Sequence, residues 1–176
     1  MGRIVKALLF LGLVVVVVTA LRAIKETPTS PATAAAPLAS AGAEVPCTPG
    51  DQDPYVYRPE RLKILKPCLH VTGTVDDLQI EADGDVHYRV RLDPPYTGLL
   101  VDGNKAQGGD LVVEPVCYAL AYQADAMGVC SSDRNSLRSI PQAGDHVWME
   151  GRYVLDIGHT TWAELHPLYR WGKADR

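Results

Sequence analysis

Several motifs that mark enzymes and metal sites are missing from this 176-residue sequence. No GxSxG segment occurs, which excludes the serine nucleophile elbow of α/β-hydrolases. The absence of HExxH and CxxC segments leaves helical zinc-protease sites and paired-cysteine zinc sites without support. Glycine-rich loops of the phosphate-cradling type are absent too. Because no compact motif identifies a reaction, function has to be inferred from scattered residues.

The N-terminus carries an apolar run, ALLFLGLVVVVVTAL, over residues 7–21. A basic start followed by about 15 apolar residues is typical of a secretory signal. A membrane span needs about 20 residues. Residues 4–24 reach that length only with Lys6 and Arg22 near the ends, where both side chains can snorkel. Residues 1–26 therefore predict a signal peptide or an N-terminal membrane anchor, with membrane contact restricted to residues 4–24.

Residues 27–46, TPTSPATAAAPLASAGAEVP, are rich in Pro, Ala, Ser and Thr. They bury too little surface to offset the entropy of ordering, so they predict a flexible linker. Residues 1–26 hold four of the 17 basic and one of the 21 acidic residues, so the rest has 13 basic and 20 acidic residues, a net charge of −7. That balance disfavours non-specific binding to nucleic acid, which depends on neutralising phosphates.

All four cysteines follow the linker: Cys47, Cys68, Cys117 and Cys130. An even number of cysteines in an exported chain indicates two disulfides, with three alternative pairings. The pairs Cys47–Cys68 and Cys117–Cys130 are favoured because each closes a local loop. A four-cysteine zinc site competes with this interpretation. Residues 47–171 thus predict one disulfide-bonded, extracytoplasmic domain, secreted or tethered to the membrane.

Alternation of apolar and polar residues predicts a mostly β domain of five strands, near 68–75, 86–93, 110–117, 146–156 and 162–170. Residues 117–127 have helical composition, which predicts one short helix before the fourth strand. This order of elements is that of an OB-fold, a five-stranded Greek-key barrel. Gly73 and Gly151 fit the sharp bends of such strands. A β-sandwich competes, but it would need about seven strands.

Candidate site residues concentrate in two segments. Asp85 and His87 share one face of the second strand, although the Asp-Gly-Asp sequence before them also suits a tight turn. Glu164 and His166 share one face of the fifth strand. A carboxylate beside an imidazole suits a metal site, a general-base pair or a structural hydrogen bond.

Convergence of the fifth strand with the first two would bring His87, Glu164 and His166 near Asp156 or His159. Two histidines and a carboxylate form a plausible divalent-metal set.

Four aromatic residues offer a stacking platform for bases or sugars, as OB-folds often use. Tyr88 and Tyr153 fall in the apolar register and predict core positions. Trp148 and Trp162 share registers with polar residues, so they are the surface candidates.

The segments DGDVHYRVRLD and GDHVWMEGRYVLDIGHTTWAELHP resemble an uncharacterised group of small exported bacterial and archaeal domains. In that group a DGD-x-H strand precedes a V-x-G-x-Y-V-x-D…H…W-x-E-x-HP segment, and cysteines are placed like the four here. The resemblance implies a common OB-like fold and brings no established activity. The matching positions here are Asp83, Gly84, Asp85 and His87, then Val147 through Asp156, His159, Trp162, Glu164, His166 and Pro167.

A weaker similarity is to staphylococcal-nuclease-like OB-folds, which also carry a DGD turn followed by an Arg-Leu strand. Residues 91–94, RLDP, match that strand, but Pro95 stands where the catalytic glutamate of those enzymes would be. The similarity implies a nuclease-like site around Asp83, Asp85 and Arg91.

These observations predict an exported or membrane-tethered OB-like module that binds an unidentified protein or small molecule. The enzyme alternatives are a metal-dependent hydrolase and the nuclease-like enzyme. The hydrolase would use the set Asp85, His87, Glu164 and His166.

Overall fold

The computed structural model describes residues 47–131, 137 and 139–175. The predicted export segment, 1–26, and the linker, 27–46, lie outside the described residues. Within the described ranges, no helix has the length and apolar character needed to cross a membrane.

Five strands make up one mixed β-sheet. They are β1 (Leu62–Ile80), β2 (Val86–Leu92), β3 (Leu111–Val113), β4 (His146–Asp156) and β5 (Trp162–Lys173). The helices of the described residues are four short 3-10 segments: Asp53–Tyr55, Pro59–Arg61, Pro94–Leu99 and Asp102–Gln107.

The hydrogen bonds between strands close into a ring in the order β1-β2-β3-β5-β4 and back to β1. All neighbours are antiparallel except β3 and β5, which are parallel. β1 makes the closure because its 19 residues pair with β2 on one side and β4 on the other. Gly73 pairs with Leu92 of β2 and also with Val147 of β4.

The apolar faces of the strands meet inside the ring, as their alternation predicts. Tyr88 of β2 is fully buried and Tyr153 of β4 is nearly so, which confirms that both tyrosines belong to the core. The remaining strand positions of this core include Leu69, Val71, Val75, Val86, Val90, Leu92, Leu111, Val113, Val147, Met149, Ala163, Leu165 and Leu168.

The segment 117–127 forms turns instead of the predicted helix. Its backbone bonds to the β1–β2 turn: Ala119 N–H donates to Gly84 O, and Tyr122 N–H donates to Ala82 O, both at 2.9 Å. These bonds take the donors that a helix would use internally. Cys117 also has a φ of 50°, which ends regular structure at the start of the segment.

Both favoured disulfides are present, Cys47–Cys68 and Cys117–Cys130. The first attaches the N-terminal extension to β1, and the second closes the segment that lies against the β1–β2 turn. Two disulfides indicate an oxidising, extracytoplasmic compartment.

The two predicted bend glycines lie where backbones approach closely. A Cβ atom on Gly73 would be 2.6 Å from the carbonyl oxygen of Arg91, and one on Gly151 would be 2.7 Å from that of Pro167. Both contacts are with backbone of a paired strand, so a side chain at either position would displace that strand.

We expect Gly73→Ala to lower the free energy of unfolding by about 1–3 kcal/mol, the usual cost of overpacking. Gly98→Ala is the control, because no atom lies within 4 Å of the added Cβ. Urea denaturation of the oxidised chain measures both variants. Equal stability of the two would show that the approach of β2 to Gly73 does not constrain the ring.

Candidate functional site

A buried polar cluster lies on the outer face of the sheet, opposite the core. Asp85, directly before β2, and His87 of β2 flank the core residue Val86, so their side chains point outward. On β5, Glu164 and His166 alternate with core residues in the same way. Asp85, Glu164 and His166 are nevertheless almost completely buried, so segments outside the ring cover this face.

Glu114, which follows β3, joins the two histidines. The Nδ1 atom of His87 is 2.8 Å from Glu114 Oε1, and the Nδ1 atom of His166 is 2.8 Å from Glu114 Oε2. Glu164 Oε1 lies 3.1 Å from the same His166 nitrogen. On its other side, His87 Nε2 is 3.1 Å from Gln107 Oε1. Both imidazoles are therefore held by carboxylates at Nδ1.

Asp85 completes the cluster next to the Cys117–Cys130 disulfide. Its Oδ1 accepts a hydrogen bond of 2.7 Å from Cys117 N–H. Its Oδ2 lies 3.7 Å from His166 Nε2, within the range of an ion pair but too long for a hydrogen bond. Neither Asp85 Oδ2 nor His166 Nε2 has a hydrogen-bond partner among the described residues.

Burial and neighbouring charge act against each other on the two histidines. Burial lowers the pKa of His166, but the carboxylates of Glu114 and Glu164 outweigh it and raise the pKa to about 10. Burial also lowers the pKa of His87, while its contact with Glu114 raises that pKa to about 9. Both imidazoles are therefore cationic at neutral pH.

The pKa values of two carboxyl groups, those of Asp85 and Glu114, shift in opposite directions in the same surroundings. Burial raises the pKa of Asp85 to about 8, although His166 opposes the change. Burial also acts to raise the pKa of Glu114, but its contacts with His166 and His87 hold that pKa well below its usual range. At neutral pH Glu114 is thus an anion between two cations, and Asp85 is largely protonated.

A cavity of about 690 Å³ opens outside this cluster. His87 and Glu114 reach its wall, whereas Asp85, Glu164 and His166 lie behind it. Arg61 and the loops after β1 and β4 supply much of the remaining wall. The loop residues among its lining are Glu81 and Asp83 after β1, and Gly158 and His159 after β4.

Trp162 links the cavity to the buried cluster. Its indole N–H donates a 2.6 Å hydrogen bond to Glu164 Oε2, and its ring stacks on His159 with 4.6 Å between ring centroids. Asp156 fixes His159 through a 2.7 Å contact with Nδ1 and also pairs with Arg61. Asp156 and His159 therefore form a second pair on the other side of Trp162.

The prediction that Trp162 is a surface aromatic is wrong, because it is 8 % exposed. The sequence register correctly placed the Trp162 side chain on the outer face of β5, but other segments cover that face at this point. Trp148 is half-buried and stacks on His70 with 5.9 Å between ring centroids. It does not line the cavity, so the two tryptophans do not form one platform.

The structure brings together the four residues of the predicted hydrolase set. It does not assemble the predicted nuclease set: Arg91 pairs with Asp76 at 3.1 Å, and the side chain of Asp85 faces His166. Asp83 accepts a hydrogen bond from Asp85 N–H, as in a tight turn.

Sequence reasoning missed Glu114 and Gln107. Glu114 had a signal, because it is the one charged residue in the apolar run LVVEPV. Its meaning depended on the parallel pairing that sets Val112 beside Glu164, which strand patterns alone do not reveal. Gln107 lies in a loop and carried no signal.

Two sets of three residues on this face could each hold a cation. Within each set, the donor atoms lie within 4.8 Å of one another. Glu81, His87 and Glu114 form one set at the cavity wall. Asp85, Glu114 and His166 form the other, behind the wall. A third set pairs Asp85 with Cys117 and Cys130, whose sulfur atoms are bonded to each other.

No protein-family model, curated protein or solved structure matches this chain. The candidate site therefore has to be interpreted from its own geometry.

We expect Glu114→Gln to destabilise the domain by about 3–5 kcal/mol, because it leaves two buried imidazolium groups without their shared anion. Asp77→Asn is the matched control, since it removes a carboxylate that pairs with exposed Arg89 at 2.8 Å; exposed pairs contribute little. Urea denaturation at neutral pH compares the two. A Glu114→Gln variant as stable as the control would contradict the ionic network.

Proposed function

We propose that this protein is an exported, OB-like binding module, secreted or tethered by its N-terminal segment. Its ligand site is the cavity over His87, Glu114 and Trp162. The observation that carries the binding proposal is the position of the cavity relative to the strands. Export is supported by the two disulfides.

The OB-like assignment is supported by the ring order β1-β2-β3-β5-β4 and by the long first strand that pairs with β2 and β4. OB-folds bind oligonucleotides and oligosaccharides on the face of strands 2 and 3, between the loops that follow strands 1 and 4. The cavity has that placement: Glu81 and His159 come from the two loops, and His87 comes from β2.

The chemistry of the cavity favours a small, uncharged polar ligand of the saccharide class. Its lining mixes cations, including Arg61 and Arg89, with anions, including Asp77 and Glu81, so neither sign dominates. Such walls supply both donors and acceptors for hydroxyl groups. Polyanions are disfavoured by the acidic chain. A volume of about 690 Å³ is within the range of small-molecule sites, about 300–1,000 Å³.

We also propose that the chain belongs with the small exported domains that its motifs resemble. The residues that carry the resemblance support this, because several of them form the site. His87, His159 and Trp162 line the cavity, and Glu164 and His166 underlie it.

A metal-dependent hydrolase is the second candidate function. The observation that favours it is the donor set of Glu81, His87 and Glu114 at the cavity wall. Hydrolysis of p-nitrophenyl phosphate or acetate that needs added Mn²⁺ or Zn²⁺, and that His87→Gln abolishes, would favour this candidate over the binding module.

The binding proposal predicts that a neutral saccharide raises the melting temperature of the full-length, oxidised chain. Maltose, cellobiose and chitobiose are the probes, and AMP is the anionic comparison. His159→Ala should remove the shift because it opens the cavity wall beside Trp162. Differential scanning fluorimetry measures each variant.

His70→Ala is the matched control for that experiment. Like His159, His70 stacks on a tryptophan, Trp148, and pairs with a carboxylate, that of Glu150, but it does not line the cavity. It should keep the wild-type shift. Stabilisation by AMP alone, or equal shifts in both histidine variants, would contradict a saccharide site in this cavity.

A further inference from the structure

We propose that Asp85 and His166 are the protein ligands of one divalent cation of the zinc class behind the cavity wall, with Glu114 as an outer partner of the His166 ring. This inference goes beyond the binding proposal and does not depend on what occupies the cavity. It is carried by two buried atoms, Asp85 Oδ2 and His166 Nε2.

These atoms face each other without a hydrogen bond to any described residue. Their side chains are 1 % and 0 % exposed. Buried polar atoms are rarely left unsatisfied, and an ion is one of the recognised reasons when they are. Because both atoms belong to strong donor or acceptor groups, their shared isolation points to a common partner between them.

The separation of the two atoms selects the kind of partner. At 3.7 Å they are too far apart for a direct hydrogen bond. A bridging water with two ordinary hydrogen bonds would need about 4.5 Å between them. Two ligands of a tetrahedral zinc ion, with bonds of about 2.0 Å, lie about 3.3 Å apart. A shift of a few tenths of an ångström therefore brings the two atoms to the separation of two zinc ligands.

The surroundings of both ligands resemble the outer partners of a metal site. The Nδ1 atom of His166 faces Glu164 Oε1 at 3.1 Å and Glu114 Oε2 at 2.8 Å. A carboxylate on the far nitrogen of a metal-bound histidine fixes the ring and leaves Nε2 for the metal. Asp85 is held in the same manner, because its Oδ1 accepts a hydrogen bond from Cys117 N–H.

The donor set also selects the metal. One imidazole with a carboxylate suits zinc and its neighbours, whereas Mg²⁺ and Ca²⁺ prefer sites made of oxygen alone. Three carboxyl groups, those of Asp85, Glu114 and Glu164, lie near His166. Glu114 also reaches the cavity wall, which gives the cation an entry path.

The cavity-wall set is the weaker alternative for the same ion. Both nitrogens of its histidine, His87, already have partners, in Glu114 at 2.8 Å and Gln107 at 3.1 Å. A cation there would have to break one of these contacts.

The test is Zn²⁺ binding to the full-length, oxidised chain, by isothermal titration with elemental analysis after gel filtration. Visible absorption of the Co²⁺ form reports nitrogen and oxygen coordination. We expect stoichiometric Zn²⁺ in the wild type and its loss in Asp85→Asn. That variant keeps an Oδ1 acceptor for Cys117 N–H and replaces the ligand oxygen with an amide nitrogen.

Asp93→Asn is the matched control. Asp93 Oδ2 also faces a histidine Nε2, that of His146, but at 2.9 Å and on a partly exposed surface. It should bind Zn²⁺ like the wild type. Glu164→Gln leaves both ligands in place. It should weaken binding about 10–100-fold, because the ring of His166 loses a carboxylate that orients it.

The proposal is overturned if the wild type takes up no stoichiometric Zn²⁺, or if Asp85→Asn retains wild-type affinity. Binding that only His87→Gln abolishes would also overturn it, because the ion would then lie at the cavity wall. If Asp85→Asn does not fold, Glu164→Gln decides, and wild-type affinity in that variant counts against the site. A saccharide shift without zinc uptake would leave the binding proposal standing while this one fails.

Discussion

The burial of ionisable side chains on the outer face of the sheet is the constraint on which the rest of the domain depends. A charged group removed from water is tolerated only when it is paired and hydrogen-bonded. Glu114 meets this requirement for both His87 and His166, and Glu164 contributes to the latter. The cluster therefore needs two strand ends in fixed register, which the parallel pairing of β3 with β5 provides. Loss of that register would leave charged side chains unpaired in the interior.

The cover over this face is held in place by covalent and backbone bonds as well as by apolar packing. The Cys117–Cys130 disulfide closes the segment that lies on the β1–β2 turn, and Ala119 N–H bonds back to Gly84 O. Asp85 ties the same segment to the cluster through Cys117 N–H. An oxidising compartment thus matters for the site as well as for overall stability, because the disulfide constrains the segment that keeps water from Asp85.

Strand bounds could be predicted from the sequence where one face of the strand is in the core and the other is not. The prediction failed where the two faces have the same exposure. The bounds of β4 agree with prediction, since its core and outer positions alternate. β1 runs from Leu62 to Ile80 and is longer at both ends than predicted. The prediction was too short because most residues in the two end regions are exposed on both faces and show no alternation. The convergence of His87 with His166 could be anticipated from strand order. Glu114 could not, because a three-residue strand gives no pattern from which to infer its neighbours.

Two aspartate–histidine pairs in this domain differ in the distance between their polar atoms. His146 and Asp93 close to 2.9 Å where water reaches them, whereas His166 and Asp85 stay 3.7 Å apart in the interior. An unsatisfied polar group costs more free energy in the interior than at the surface, so the buried pair has more reason to close. It is held open by its neighbours: the two glutamates fix the His166 ring, and Cys117 N–H fixes the Asp85 carboxyl group. A gap maintained against attraction is preorganised, and preorganisation of this kind is what a binding site requires of its scaffold.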